Sequence, residues 1–294
     1  MLKKSTLILF LFFYCSIYSQ DYYANFLELY QKNYDVKKIK EFLADWKEKA
    51  PNDAQFYVAG FNFYFNQSKK ELLHLDSNTE KKENLVLKDS LDKVAGYLYS
   101  ENHINDSLFA ISQKFLDDGL QIHPKRLDMQ FGKIYALGEA KKYNEFTNQI
   151  LYVIAISRRT NLDWLWVKNK PLEDKVNFFK SSIQDYQNTL FNDKEDANMK
   201  KIAIEMANYF PEDEIVLSTL GTCYLVENNL KEALVIFQKA NTINPNDVII
   251  LNNIAQTYAR MNDIENAKKY YQEMISKGDE ETKKYAEEKL KKLN

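Results

Sequence analysis

Between Leu217 and Tyr271 the apolar residues fall into two helical patterns, and the arrangement then occurs a second time. Leu217, Leu220, Gly221 and Tyr224 share one helical face. Ala233, Phe237 and Ala240 share the next, and Pro245 closes the unit. The set returns 34 positions later as Leu251, Ile254, Ala255, Tyr258, Ala267, Tyr271 and Met274. Spacings of three and four put such residues on one side of a helix. The first unit is predicted over 214–247, with helices at 214–226 and 230–241 around the turn Glu227-Asn228-Asn229. The second runs from near Val248 to near Lys277, with Asp263 as the side-chain cap of its second helix. Gly221 and Ala233 are small where paired helices approach; Tyr224 and Phe237 are large where the adjacent unit is filled. A charged helix over 280–293 then covers the last apolar surface with Tyr285, Leu290 and Leu293.

This period, with these residue types at these places, resembles the tetratricopeptide repeat (TPR). The resemblance implies an all-α superhelix of antiparallel helix pairs, with diverged N-terminal repeats and a concave groove lined mainly by first helices. The groove positions are then Ser218, Thr222 and Val226 in one repeat and Asn252, Gln256 and Arg260 in the next. The latter three are four residues apart and share a face. They can donate to peptide carbonyls or a carboxylate, although simple solvation is the competing reading. Ser218 and Thr222 stand where the carboxylate-clamp members of the family are expected to offer Lys and Asn. A chaperone tail is therefore not the expected partner; another protein or peptide is.

Upstream the pattern is helical but less regular. Phe26, Leu27 and Leu29 mark one helix, and Ile39, Phe42, Leu43 and Trp46 a second. Pro51 ends it, and Asp53 is placed to cap a third through Phe56, Ala59, Phe63 and Tyr64. The polar stretch 67–84 is expected to be a solvent-facing helix or loop. A helix is expected over 85–99 from Leu85, Leu87, Leu91, Val94 and Leu98, and a turn over 101–106. Helices follow over 108–120, from 126, and over 141–155. Gly132 inside a helix costs about 1 kcal/mol against Ala, which a close helix crossing would justify.

Two places invite a ligand. Arg126, Asp128 and Lys133 open one helix, where an Arg–Asp pair more often fixes a turn. Trp164 and Trp166, in a segment that breaks the rhythm at 158–172, offer an indole wall for a sugar or peptide. Pinning an irregular connector is the favoured role, and carbohydrate binding the weaker alternative. The spacing from Pro124 to Pro211 is 87, not a whole number of periods, and the Trp segment is the expected cause.

Composition agrees with helices: seven glycines and five prolines in 294 residues. A net charge of -2 gives no concentrated basic surface, so no nucleic-acid partner is expected. Lys3 and Lys4, the apolar run 5–14 and Ser19-Gln20-Asp21 have the three parts of a bacterial secretory leader. Cleavage is expected after Ser19, with the mature chain in the periplasm. A lipid anchor on Cys15 is disfavoured by Tyr14 before it. The leader looks like those of exported Bacteroidetes proteins. Cys223 then remains as the lone cysteine, expected as a buried small hydrophobe.

The expected organisation is therefore a signal peptide at 1–19, a diverged TPR-like region at 20–157, an irregular connector and helix at 158–190, and C-terminal repeats with a capping helix at 191–294. The three histidines are scattered, and no metal, phosphate-loop or hydrolase motif occurs. No cofactor or enzymatic activity is expected. The expected function is a protein- or peptide-binding scaffold of the bacterial envelope, with a membrane-associated assembly or structural lipoprotein subunit as the alternative.

Overall fold

Aspartate and asparagine side chains start many of the helices. Asp35, Asp53, Asn105, Asp213, Asp247, Asp263 and Asp279 each accept backbone N–H groups of the first turn. The computed structural model describes residues 21–32, 34–78 and 84–293. The expected leader and Cys15 lie outside them. The described residues form thirteen α-helices: α1 (Tyr22–Lys32), α2 (Val36–Lys49), α3 (Ala54–Ser68), α4 (Asp106–Ile122), α5 (Leu127–Glu139), α6 (Tyr143–Thr160) and α7 (Lys175–Asn192). Then come α8 (Asp196–Tyr209), α9 (Glu214–Val226), α10 (Leu230–Ile243), α11 (Val248–Arg260), α12 (Ile264–Lys277) and α13 (Glu280–Lys292). Successive helices form six pairs, and α13 packs on α12 as the end. The architecture is an all-α helix-pair solenoid.

Two rules of chain reversal explain the stack. Within the last four pairs the turn is three residues long, with a central residue in the left-handed region: Lys141 (φ 53°), Lys194 (φ 61°), Asn228 (φ 61°) and Asn262 (φ 62°). Between pairs the chain turns at a proline. Pro51, Pro124, Pro171, Pro211 and Pro245 occupy the five junctions where a second helix gives way to the next first helix. Proline lacks the N–H that would continue the outgoing helix. Lys194, Asn228 and Asn262 follow one another at intervals of 34. Lys141 to Lys194 is 53 positions, 19 more than one period. That excess sits in the Trp-bearing connector and the longer α6 and α7. Helix α7 is thus the first helix of a complete fourth pair.

The stretch read from sequence as a polar segment followed by a helix over 85–99 is a sheet instead. Strands β1 (Lys69–Asp76), β2 (Leu85–Lys88) and β3 (Val94–Ile104) lie in the order β1-β3-β2, all antiparallel neighbours. The expected turn at 101–106 is mostly the end of β3. Local chemistry explains the difference. Asp89 accepts from the N–H groups of Leu91 and Lys93, closing a tight turn with Asp92 at φ 60°. Such side chains compete with helical bonding, Gly96 disfavours a helix, and the tyrosines at 97 and 99 favour extended backbone beyond it. The sheet is an insertion within one pair. The Asn105 N–H donates to the Ser68 carbonyl at 2.8 Å, so the ends of the insertion meet and α3 still packs along α4.

One apolar core runs without interruption from Tyr22 in α1 to Cys223 in α9. The N-terminal helices therefore continue the stack that the C-terminal repeats begin. Trp46, fully buried, stacks on Tyr22 at 5.5 Å and meets Phe56 edge-on. Its indole N–H donates to Asp53 at 3.1 Å, the carboxylate that also caps α3 across the Pro51 junction. Two smaller clusters finish the core around Phe237 and Tyr271.

The two central glycines differ. At Gly221 a methyl group would sit 2.5 Å from the buried Phe237 ring, so the small residue is obligatory for this pairing. At Gly132 the nearest atom, on Phe61, would be 3.4 Å away, an ordinary contact. The close crossing expected at Gly132 is not there. Gly132→Ala is predicted to stabilise the protein by about 0.5–1 kcal/mol. Gly221→Ala is predicted to destabilise it, because overpacking of about 1–3 kcal/mol exceeds the roughly 1 kcal/mol gained in helix propensity. Urea denaturation midpoints of the two variants should move in opposite directions.

Candidate functional site

One cleft lies between the ends of α5 and α7, the start of α6 and the base of the sheet. Its volume is about 830 Å3, within the ordinary size of ligand sites. One wall is the end of α5 and its turn, from Tyr135 through Glu139 to Tyr143. The second is the end of α7, with Asp185 and Thr189 four residues apart on one face and Asp193 at its C-cap. The base of the sheet, Lys69 and residues 100–104, forms the third. Tyr135 precedes its left-handed turn residue by six positions, as Thr222 and Gln256 precede theirs. Tyr135 thus holds on α5 the position that Thr222 and Gln256 hold on α9 and α11, while the start of α6 and the turns supply other parts of the lining. A smaller cleft of about 170 Å3 continues along first helices, between α7 and α9.

The cleft walls are polar and internally tied. Lys69 bonds Glu139 at 2.9 Å while its ammonium lies 4.5 Å from the Phe65 ring centroid. Burial works against the Lys69 charge, but Glu139 and Tyr135 outweigh it and leave its pKa raised. Lys142 approaches Asp106 at 3.4 Å. The Tyr143 hydroxyl donates to Asp193 at 2.6 Å, and burial followed by this bond holds its pKa well above the usual phenol range. Tyr186, raised likewise by burial, lies edge-on between Phe131 and Phe146 as the apolar back. Such a surface can offer carboxylates, phenols and ammonium groups to a peptide without covalent chemistry. Among the described residues no cluster of metal-ligating side chains occurs, and no helix is long and apolar enough to cross a membrane.

The residues singled out from sequence are distributed differently. Arg126 is 1% exposed and grips Asp128 with two bonds of 2.7 Å. Its third contact is Asn169 at 3.4 Å, and its backbone bridges Leu165. This pair anchors the connector and faces no cleft. Lys133 bonds Asp117 of α4 at 2.5 Å. Trp164 is buried and donates to the Ser157 hydroxyl at 2.8 Å, while Trp166 packs edge-on against Phe131 and Phe178. They pin the connector β4 (Leu165–Trp166) and β5 (Lys170–Pro171) to the solenoid rather than form an open indole wall.

In the C-terminal repeats, Ser218 and Thr222 are half-buried on α9, and Thr222 donates back to the Ser218 carbonyl. Asn252 and Gln256 are half-buried on α11, and the Asn252 side-chain oxygen is buried without a protein partner. Arg260 bonds the Leu225 carbonyl at 2.7 Å and Asn228 at 2.9 Å, joining α11 to the preceding turn. These residues do not reach the 830 Å3 cleft, whose lining comes from earlier repeats and the sheet. Counting backward from Lys141 by the rule that places Thr222 would have found Tyr135. Nothing in the periodicity marks Lys69 or Asp193.

Residues 249–276 match the family model described as tetratricopeptide repeat. The chain contains a tetratricopeptide repeat. No curated protein matches the sequence. Among solved structures, the chain is similar to YrrB, a TPR protein with an unusual peptide-binding site, at 13% identity and a TM-score of 0.44. That match covers 84% of this chain and 97% of YrrB. It is also similar to the first TPR of Spaghetti (RPAP3) bound to an HSP90 peptide, at 14% identity, 38% and 86% coverage and a TM-score of 0.35. The Sgt2 TPR domain from Aspergillus fumigatus matches at 18% identity, 38% and 78% coverage and a TM-score of 0.35.

Cys223 lies on the repeat helix α9 beside Gly221 and is 4% exposed. Burial pushes its thiol pKa up to about 12, so the neutral thiol persists at ordinary pH. Native protein at pH 8 is predicted to resist iodoacetamide at Cys223, and urea-unfolded protein to be labelled rapidly. Peptide mass spectrometry distinguishes the two. Because its folded pKa is raised, Cys223 withdraws stability as pH rises above the unfolded thiol value of about 8.5.

Proposed function

We propose that this TPR protein is a non-enzymatic adaptor that binds a protein or peptide on its first-helix face, centred on the cleft between α5, α7 and the sheet. The observation that carries this reading is the placement of that cleft. It lies where the ends of α5 and α7, the turn into α6 and the base of the sheet converge, and it is large enough for several residues of an extended segment. Its mixed charges, already paired along the walls, suit a polar peptide better than a polyanion. The buried Trp164 and the packed Trp166 remove the sequence motive for a carbohydrate partner.

The secretory pattern at the N-terminus supports export across the inner membrane of a Bacteroidetes-type bacterium and work in the periplasm. The alternative, an assembly or structural subunit tethered by lipid on Cys15, differs in mature mass. Expression in a bacterial host is predicted to yield a soluble chain beginning at Gln20. A diacylglyceryl mass on Cys15 would instead support the tethered subunit.

A photo-crosslinking residue at Tyr135 or Asp185 in native envelopes is predicted to capture a specific partner. The same residue at Val235, exposed on the second helix α10, should not. Asp185→Lys should weaken capture by about tenfold, as expected when one charge of a polar contact is reversed. Equal adducts at all three positions, or none, would remove the cleft from consideration.

A further inference from the structure

The inserted sheet leaves an open edge and an open apolar face. Its order puts β1 and β2 at the two edges. The β2 edge is blunted: it has four residues, and its register slips at Leu87/Lys88. The β1 edge is not. It has eight residues and pairs with β3 in unbroken register from Lys69↔Ile104 to Asp76↔Tyr97. Alternate N–H and C=O groups of β1 therefore face away from β3, with no strand beyond them among the described residues. Side chains opposite one another in register share a face, so Leu73, Leu75, Leu85, Leu87 and Leu98 lie together. Leu73 is 72% exposed, Leu75 71% and Leu85 60%. Soluble proteins seldom leave a long, flat, leucine-bearing edge free.

Charge selects the occupant. Along β1, Lys70 and Glu71 near the start and Asp76 at the end have no ion-pair partner among the described residues, and Asp76 also accepts the Ser77 and Asn78 N–H groups. Lys69 is already held by Glu139. An antiparallel newcomer runs the other way, so it matches best when it too is basic first and acidic last. Lys70 and Asp76 give β1 itself that order. A two-fold axis normal to the sheet requires a residue to face its own copy. Centring on Leu73 puts Leu73 opposite Leu73 of the second copy and Leu72 opposite His74. It places Lys70 opposite Asp76, and symmetry supplies that ion pair twice. Centring on Leu72 would instead set Lys70 against His74 and forfeit both pairs.

We propose that β1 is a self-association edge, on which a second copy of this chain adds its own β1 antiparallel about Leu73 to form a continuous six-stranded sheet. The strand is already ordered, so pairing costs little conformational entropy. The long edge is used once by each copy, which closes the assembly at a dimer. This inference stands apart from the peptide cleft and survives its failure.

The test is sedimentation velocity on the full chain over a concentration series, with circular dichroism as the check on folding. Wild type is expected to show a monomer–dimer equilibrium. Lys70→Asp and Asp76→Lys, both at exposed positions, should each raise the dimer dissociation constant by about tenfold. The double variant Lys70→Asp/Asp76→Lys should restore it, because each reversed charge again meets its opposite. A wild-type monomer at every concentration, a dimer indifferent to the single reversals, or a double variant that stays dissociated would each overturn the proposal. Addition of an unrelated protein's strand to this edge would overturn it as well, since self-complementary reversal could not rescue that contact.

Discussion

The left-handed residue at the centre of each three-residue turn sets the spacing of this solenoid. Lys141, Lys194, Asn228 and Asn262 all hold it. Asparagine adopts this region at small cost, and lysine at roughly 1–2 kcal/mol. The cost is accepted because the turn lays the second helix along the first. Small residues such as Gly221 and Ala255 then lie opposite large ones such as Phe237 and Tyr271. With the turn and helix lengths fixed, the period follows, and so does the alignment of first helices along one face.

The fold tolerates insertion where the ends of the inserted chain already meet. The sheet enters between α3 and α4, the pair whose turn is absent, and Ser68 and Asn105 are hydrogen-bonded across its root. The Trp connector enters between α6 and α7 and is held differently. The Leu165 N–H donates to the Lys125 carbonyl at 2.8 Å, Lys125 bonds Asp163, and the buried Arg126–Asp128 pair reaches Asn169. A buried ion pair of this kind confers geometry more than stability, since desolvation offsets much of its attraction. Its role here is to fix the path of an otherwise irregular segment.

These insertions shape the functional surface. The sheet adds a boundary beside the end of α5 that α9 and α11 lack. With it, Lys69 and the end of β3 close a third wall, and a groove common to helix-pair solenoids becomes a bounded cleft. The polar network across that cleft, from Lys69 to Glu139 and from Tyr143 to Asp193, joins elements far apart in sequence. It sets carboxylate, phenol and ammonium groups around one cleft.

The sequence by itself determined the C-terminal repeats, the helix starts at Asp53 and Asp263, the proline junctions and the burial of Cys223. These are local or periodic properties: a cap acts within one turn, a proline at one bond, and a 34-residue period repeats its own pattern. It also located the slip between Pro124 and Pro211, though not its size in each element. Only the tertiary structure decided the rest. The run from Leu85 to Leu98 has apolar residues that fit a helix on paper, and the Asp89 turn and strand pairing with residues 69–76 override that fit. Arg126 and Trp164 have the side chains of ligand-binding residues, yet the connector's path buries both. Tyr135, Asp185 and Lys69 carry no shared motif. They meet because a first helix, the next first helix and an inserted strand converge, a contact set by packing between segments rather than by any one of them.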